Sequence, residues 1–160
     1  MMPRGACPSL AAPMQTGDGL LLRAPAGWWS RAVVLGIADA ALRFGNGVVE
    51  ITARGNLQLR GLRADSAASC AETLLGLGIA DAPPIFVSPL AGNDATALAD
   101  PRDLAQALAK AWPDGLAPKV SVVVDGGGAL HLDAMAADIR SRAVGRDAWL
   151  LGVDGATAPR

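Results

Sequence analysis

The densest polar constellation in the chain is Thr52, Arg54, Gln58 and Arg60, set at alternating positions within one short segment. Guanidinium groups hold carboxylates through a planar two-donor fork, and a neighbouring amide completes the hydrogen bonding, so these residue types suit a polyanionic ligand. The plainer reading is the solvated outer face of a hairpin, because exposed strand faces are routinely polar. Lys119 opens an apolar stretch through Val124. There an ammonium serves either as a second anion contact or as a gatekeeping charge at a strand end.

Other candidates point away from metal or nucleophilic chemistry. His131 is the sole histidine and has no cysteine near it, so it reads as structural. Gly126-Gly127-Gly128 lacks a following Lys-Ser/Thr and lies between strand-like segments, which favours a hairpin turn over a phosphate cradle. Cys7 and Cys70 are far apart, form no CxxC pair and have no adjacent base. No metal site is expected from them, and no catalytic residue can be named. Trp28 and Trp29 suit either stacking on a planar ligand or burial in an interface.

The polar constellation requires a hairpin. Gly47 to Arg54 alternates apolar Val49, Ile51 and Ala53 with polar Glu50, Thr52 and Arg54, and Leu57 and Leu59 alternate likewise. A two-residue Gly55-Asn56 turn would set polar residues opposite apolar ones. A three-residue connection or glycine bulge, pairing Arg54 with Gln58 and Thr52 with Arg60, gives one polar and one apolar face.

Around the hairpin, Arg4 to Asp18 reads as an extended arm and Gly19 to Pro25 as a strand. Trp28 to Phe44 is a helix with apolar Val34, Ile37, Ala38, Ala41 and Leu42, stopped by Gly45 and Gly47. Ala64 to Leu77 is a second helix carrying Ala68, Leu74, Leu75 and Leu77. The order strand-helix-strand-strand-helix predicts an α+β, ferredoxin-like half-domain over residues 1–82. After Pro83-Pro84, a second unit over 83–160 is predicted. It carries strands at Ile85–Val87, Lys119–Val124, Ala129–Leu132 and Asp147–Val153 and a helix from Pro101 to Trp112 capped by Asp100. No element closes its tail, so it reads as the incomplete start of an α/β domain.

With 160 residues, 51% hydrophobic, 18% charged and a formal net charge of -1, the chain is long enough for a real core. Disorder and general nucleic-acid binding are excluded as expectations. The start lacks a secretory leader, and no run reaches the roughly 18 apolar residues that span a bilayer. A reducing, cytoplasmic setting without a membrane partner is expected.

The segment Glu50-Ile51-Thr52-Ala53-Arg54-Gly55-Asn56-Leu57-Gln58-Leu59-Arg60-Gly61 resembles the T-x-R-x-x-x-Q motif of the nitrite and sulfite reductase ferredoxin-like half-domain. Arg4-Gly5-Ala6-Cys7-Pro8, Ala12-Pro13-Met14, Thr16 to Leu21, Ser88-Pro89-Leu90-Ala91-Gly92, Leu116 to Lys119 and His131-Leu132-Asp133 are similar to the cobalamin-pathway branch of that family. The resemblance implies two related halves, each joining a ferredoxin-like unit to a larger α/β unit, with sirohaem or a related tetrapyrrole beside a 4Fe-4S cluster. Arg54 and Lys119 then fall on the family's anion-binding arginine and lysine, and Gln58 on its motif glutamine. Where reductases carry a further arginine and a second lysine, this chain has Pro83-Pro84 and Ser121.

By that resemblance the chain is expected to be the N-terminal part of an oxidoreductase of aerobic cobalamin biosynthesis, performing oxygen-dependent ring hydroxylation and lactone formation on a precorrin. It is expected to be inactive alone, because a 4Fe-4S cluster takes four thiolates and the sequence has two cysteines. The partners implied are a tetrapyrrole and a missing C-terminal half or partner chain. The alternatives are a sulfite/nitrite reductase fragment and a non-catalytic tetrapyrrole-binding or assembly module.

Overall fold

Short apolar segments punctuated by glycine and proline become strands, and longer periodic segments become helices, in the computed structural model, which describes residues 8–117 and 119–153. Cys7, Pro118 and the tail from Asp154 lie outside the described residues. The chain divides into two units, Met1–Ala82 and Pro83–Arg160.

The first unit runs β1 (Met14–Thr16), β2 (Gly19–Ala24), α1 (Arg31–Phe44), β3 (Val49–Ile51), β4 (Leu57–Leu62) and α2 (Ala64–Gly76). Its sheet has the order β1-β2-β4-β3 and is antiparallel throughout. Strands β2 and β3 flank β4 and are joined through α1, the split βαβ arrangement of a ferredoxin-like half-domain. Strand β1 corrects the expected arm. Residues 14–16 fold back on β2 because Thr16 Oγ1 donates to Asp18 Oδ1 at 2.7 Å and lies 2.8 Å from the Gly19 carbonyl, which closes the turn between the strands.

Helix α1 starts at Arg31, later than Trp28, because Ser30 Oγ accepts from the Val33 amide at 3.4 Å. Its buried stripe is Ile37, Ala40 and Ala41, flanked by half-buried Val33 and Phe44. Val34 and Leu42, expected inside, are 48% and 71% exposed. Helix α2 buries Ala67, Cys70 and Leu74, whereas Ala68 and Leu75 face outward. In both helices the true stripe keeps the i, i+3, i+4, i+7 pattern but is rotated, since alanines fill it as readily as larger residues. These stripes cover Leu22, Ala24, Leu59 and Leu62, each at most 1% exposed. Burial of a side chain such as Leu22 or Leu59 contributes about 1.5–3 kcal/mol. Ser66 Oγ ties the helices together, accepting from the Arg63 amide at 3.0 Å and donating to the Phe44 carbonyl at 2.8 Å.

The second unit contains β5 (Ile85–Val87), α3 (Pro101–Lys110), β6 (Val122–Asp125), β7 (Ile139–Gly145) and β8 (Ala148–Val153). Its sheet order is β5-β6-β7-β8, parallel across β5-β6-β7 and antiparallel at β7-β8. Asp100 caps α3 as expected, Oδ1 accepting from the Arg102 amide at 3.0 Å. The expected hairpin return at Ala129–Leu132 is not a strand, and β7 replaces it as the neighbour of β6. A parallel neighbour cannot follow a tight turn, so residues 126–138 form a helix-free crossover.

Buried Asp125 anchors that crossover, accepting from the Gly127 amide at 2.8 Å and the Leu132 amide at 3.0 Å. The Gly126 carbonyl accepts from the Leu98 amide at 2.9 Å. The glycine run is thus packed, not a free turn: a Cβ on Gly126 would stand 2.4 Å from the Ala99 carbonyl oxygen. Gly126→Ala is expected to destabilise the protein by about 1–3 kcal/mol through backbone displacement, read as a fall in the urea midpoint against wild type.

Candidate functional site

The site begins at the β3–β4 hairpin. The Thr52 amide donates to the Asn56 carbonyl at 2.9 Å, and the Gly55 amide donates to the Thr52 carbonyl at 2.8 Å. Ala53-Arg54-Gly55 is therefore a three-residue loop, closed by Gly55 at φ 73° in the left-handed region. Two side chains hold it. Thr52 Oγ1 accepts from the Asn56 amide at 3.2 Å, and buried Asn56 accepts through Oδ1 from the Ala26 amide at 2.9 Å.

The loop length and face parity follow the sequence expectation, but the register does not. Glu50 pairs with Gln58, Ile51 with Leu57 and Val49 with Leu59, so the pairs Arg54–Gln58 and Thr52–Arg60 do not form. The hairpin folds earlier along the chain because the left-handed position belongs to Gly55, which must be the last loop residue. Arg54 consequently stands exposed at the tip. Thr52 holds the turn.

Across the sheet, Arg23 pairs with Gln58 and Glu50 pairs with Gln58 from the other side, giving a polar row Arg23, Gln58, Glu50. It lies opposite the core face, because its neighbours Leu22, Ala24 and Leu59 point to the helices. Arg60 is engaged at both ends of its fork. Nη1 donates to Glu50 Oε2 at 2.7 Å, and Nε donates to Asp18 Oδ2 at 3.3 Å. Asn46 Nδ2 reaches the same Asp18 oxygen at 3.4 Å. The hydrogen bond from the Thr16 hydroxyl, then that from Arg60, holds the Asp18 carboxyl below its ordinary value, and Asp18 and Glu50 push Arg60 upward.

Sequence reasoning placed Glu50 on this face but missed Arg23 and Asp18 as members of it. The alternation Leu22-Arg23-Ala24 was the available signal for Arg23; nothing local announced Asp18, which arrives with β1. Lys119 belongs to the second unit, exposed in the turn before β6, which begins at Val122. Trp29 packs against the first core and Trp28 is exposed.

The polar side chains of the second unit secure its crossover. Arg142 Nη1 donates to Asp133 Oδ2 at 3.2 Å, and its Nη2 lies 3.3 Å from His131 Nδ1. Arg140 Nη1 donates to the Leu132 carbonyl at 3.2 Å. Buried Ser121 donates from its amide and hydroxyl to Asp138 Oδ2 at 2.8 and 3.0 Å. Among the described residues no group of three or more His, Cys, Asp or Glu side chains is placed to hold a metal ion, and no helix is long and apolar enough to cross a membrane. Cys70 is buried in the first core, where burial pushes its thiol up to about 11.

Residues 12–77 match the nitrite/sulfite reductase ferredoxin-like half domain, which places the first unit in the nitrite/sulfite reductase family. Within that family the chain is similar to the precorrin-3B synthase of Sinorhizobium sp., with 51% identity over 96% of this chain. The chain spans 36% of that relative's length. Its fold resembles the NirA protein of Mycobacterium tuberculosis (TM-score 0.63, 16% identity, 77% of this chain and 25% of that one). Dissimilatory sulfite reductase I is comparable (TM-score 0.62, 16% identity, 77% of this chain and 32% of that one).

The Asp18 ion pair generates a pH prediction. A carboxyl whose folded value lies below its unfolded value adds stability that is present above the unfolded value, near 3.8, and lost as pH falls through the folded one. Asp18→Asn is therefore expected to lower the melting temperature at about pH 7 and to narrow the gap from wild type at about pH 2, checked by thermal denaturation at both.

Proposed function

We propose that this chain supplies a polycarboxylate-binding sheet face to a precorrin-3B synthase-type oxidoreductase. The 51% identity to a precorrin-3B synthase along nearly the whole chain carries this reading. The face itself supports it. Arg54 at the hairpin tip and Gln58 in the strand row offer charge-assisted and neutral hydrogen bonds to the acetate and propionate arms of a tetrapyrrole. Thr52 sets the loop that carries Arg54, and Arg60 orders the strands beneath. Lys119 is proposed, on the family resemblance, as a further anion contact.

The whole-protein reaction we propose is oxygen-dependent hydroxylation and lactone formation on the ring of precorrin-3A, in the cytoplasm. The 4Fe-4S cluster, and any sirohaem, that the family resemblance implies would supply its redox chemistry. The residues of this chain do not fit such a cluster. It requires four thiolates, whereas the sequence has two cysteines and Cys70 is enclosed in the core as a thiol. Cluster ligands would have to come from outside these residues, through further sequence or a partner chain.

A polycarboxylate ring is favoured over a small oxyanion. A compact site for sulfite or nitrite gathers several cations, and at Ser121, where reductases of the family carry a lysine, this chain buries a neutral hydroxyl bonded to Asp138. Uroporphyrin, a porphyrin with acetate and propionate arms, is a suitable probe. Arg54→Ala is expected to weaken its binding by about tenfold, one charge-assisted interaction, while leaving stability within about 0.5 kcal/mol. An absorbance titration with a parallel melt checks both; unchanged affinity would refute the role of Arg54.

A further inference from the structure

The face carries two arginines in its strands, Arg23 and Arg60, and they are placed in opposite chemical situations. Arg60 has its fork filled: Nη1 lies 2.7 Å from Glu50, and Nε and Nη2 lie 3.3 and 3.4 Å from the two Asp18 oxygens. Drawing Arg60 toward an anionic ligand would leave two carboxylates facing that ligand without their counter-charge, and like charges at such range repel. Among the described residues Arg23 forms no ion pair. Its one side-chain hydrogen bond among the described residues runs from Nε to the Pro8 carbonyl at 2.6 Å. Both terminal nitrogens are left without a protein acceptor there. That bond fixes the rotation of the guanidinium plane, and the half-buried stem limits its travel.

Gln58 lies directly across from Arg23 in the β2–β4 register, and no described residue takes its side-chain amide. Adjacent cross-strand side chains stand about 4.5–5.5 Å apart at Cβ, close enough for a guanidinium and an amide to grip one carboxylate together.

We infer that Arg23, with Gln58, is the carboxylate-gripping pair of this sheet face, and that Arg60 is a framework residue. This inference rests on the proposed tetrapyrrole reading and deepens it: one arm of the ring is held by the Arg23–Gln58 pair and another by Arg54.

The test titrates the 160-residue chain and its variants with uroporphyrin at several salt concentrations, with a melting curve for each. Arg23→Gln is expected to raise Kd about tenfold and to flatten the salt dependence, which a purely structural lesion would not do. Arg23→Lys keeps the charge but loses the fork, and its Kd is expected to rise about threefold. That variant decides the matter if Arg23→Gln does not fold. Arg60→Gln is expected to lower the melting temperature and to change Kd less than about twofold. Wild-type affinity in the Arg23 variants, with loss in Arg54→Ala, overturns the inference and leaves the reading of the face standing. No binding of uroporphyrin by the wild-type chain overturns both.

Discussion

The pairing of β2 with β4 is the constraint on which the first unit depends. With Leu22 opposite Leu59 and Arg23 opposite Gln58, Leu22, Ala24, Leu59 and Leu62 face the helices while Arg23 and Gln58 face away. A slip by one residue would exchange the faces, placing a guanidinium and an amide in a core whose leucines are essentially inaccessible. The irregularity between Leu20 and Leu22 lets Leu62 join the core as well. Burial selects this register, and the polar row follows because strand side chains alternate.

Charge then divides the labour on that row. Arg60 links the β1–β2 turn, β3 and β4 through Asp18 and Glu50, three segments distant in sequence. These pairs are partly exposed and screened by solvent, so their contribution to stability is small; their effect is to order the edges of the sheet. The second unit uses its charged residues comparably. Asp125, Asp138, Arg140 and Arg142 satisfy the backbone and neighbours of a crossover that has no helix to satisfy itself.

Much of this was legible in sequence because it is local. The strand-helix-strand-strand-helix order follows from periodicity, and the three-residue hairpin with a single polar face follows from parity. The register was hidden because parity admits several registers that differ by two residues at each step. Only the backbone requirement at Gly55 chooses among them, and that choice moves Arg54 from strand to tip. The helix stripes were misread where Ala40 and Ala67 occupy the inner positions and Val34, Leu42, Ala68 and Leu75 face outward. Strand β7 was missed because Arg140 and Arg142 break its apolar pattern with side chains that reach back to the crossover. The pairing of β1 with β2, and with it Asp18, depends on a turn whose partner at Arg60 is distant in sequence.

On the proposed function, the outward face of the first sheet receives a polycarboxylate tetrapyrrole. Nitrogen-15 NMR of the arginine Nε–H and glutamine amide signals, recorded while uroporphyrin is added, tests it most directly. Saturable shifts are expected at Arg23, Arg54 and Gln58, with the Arg60 signal little changed. Shifts confined to the outer surfaces of α1 and α2 or to the second unit, or no saturable shift, would contradict it.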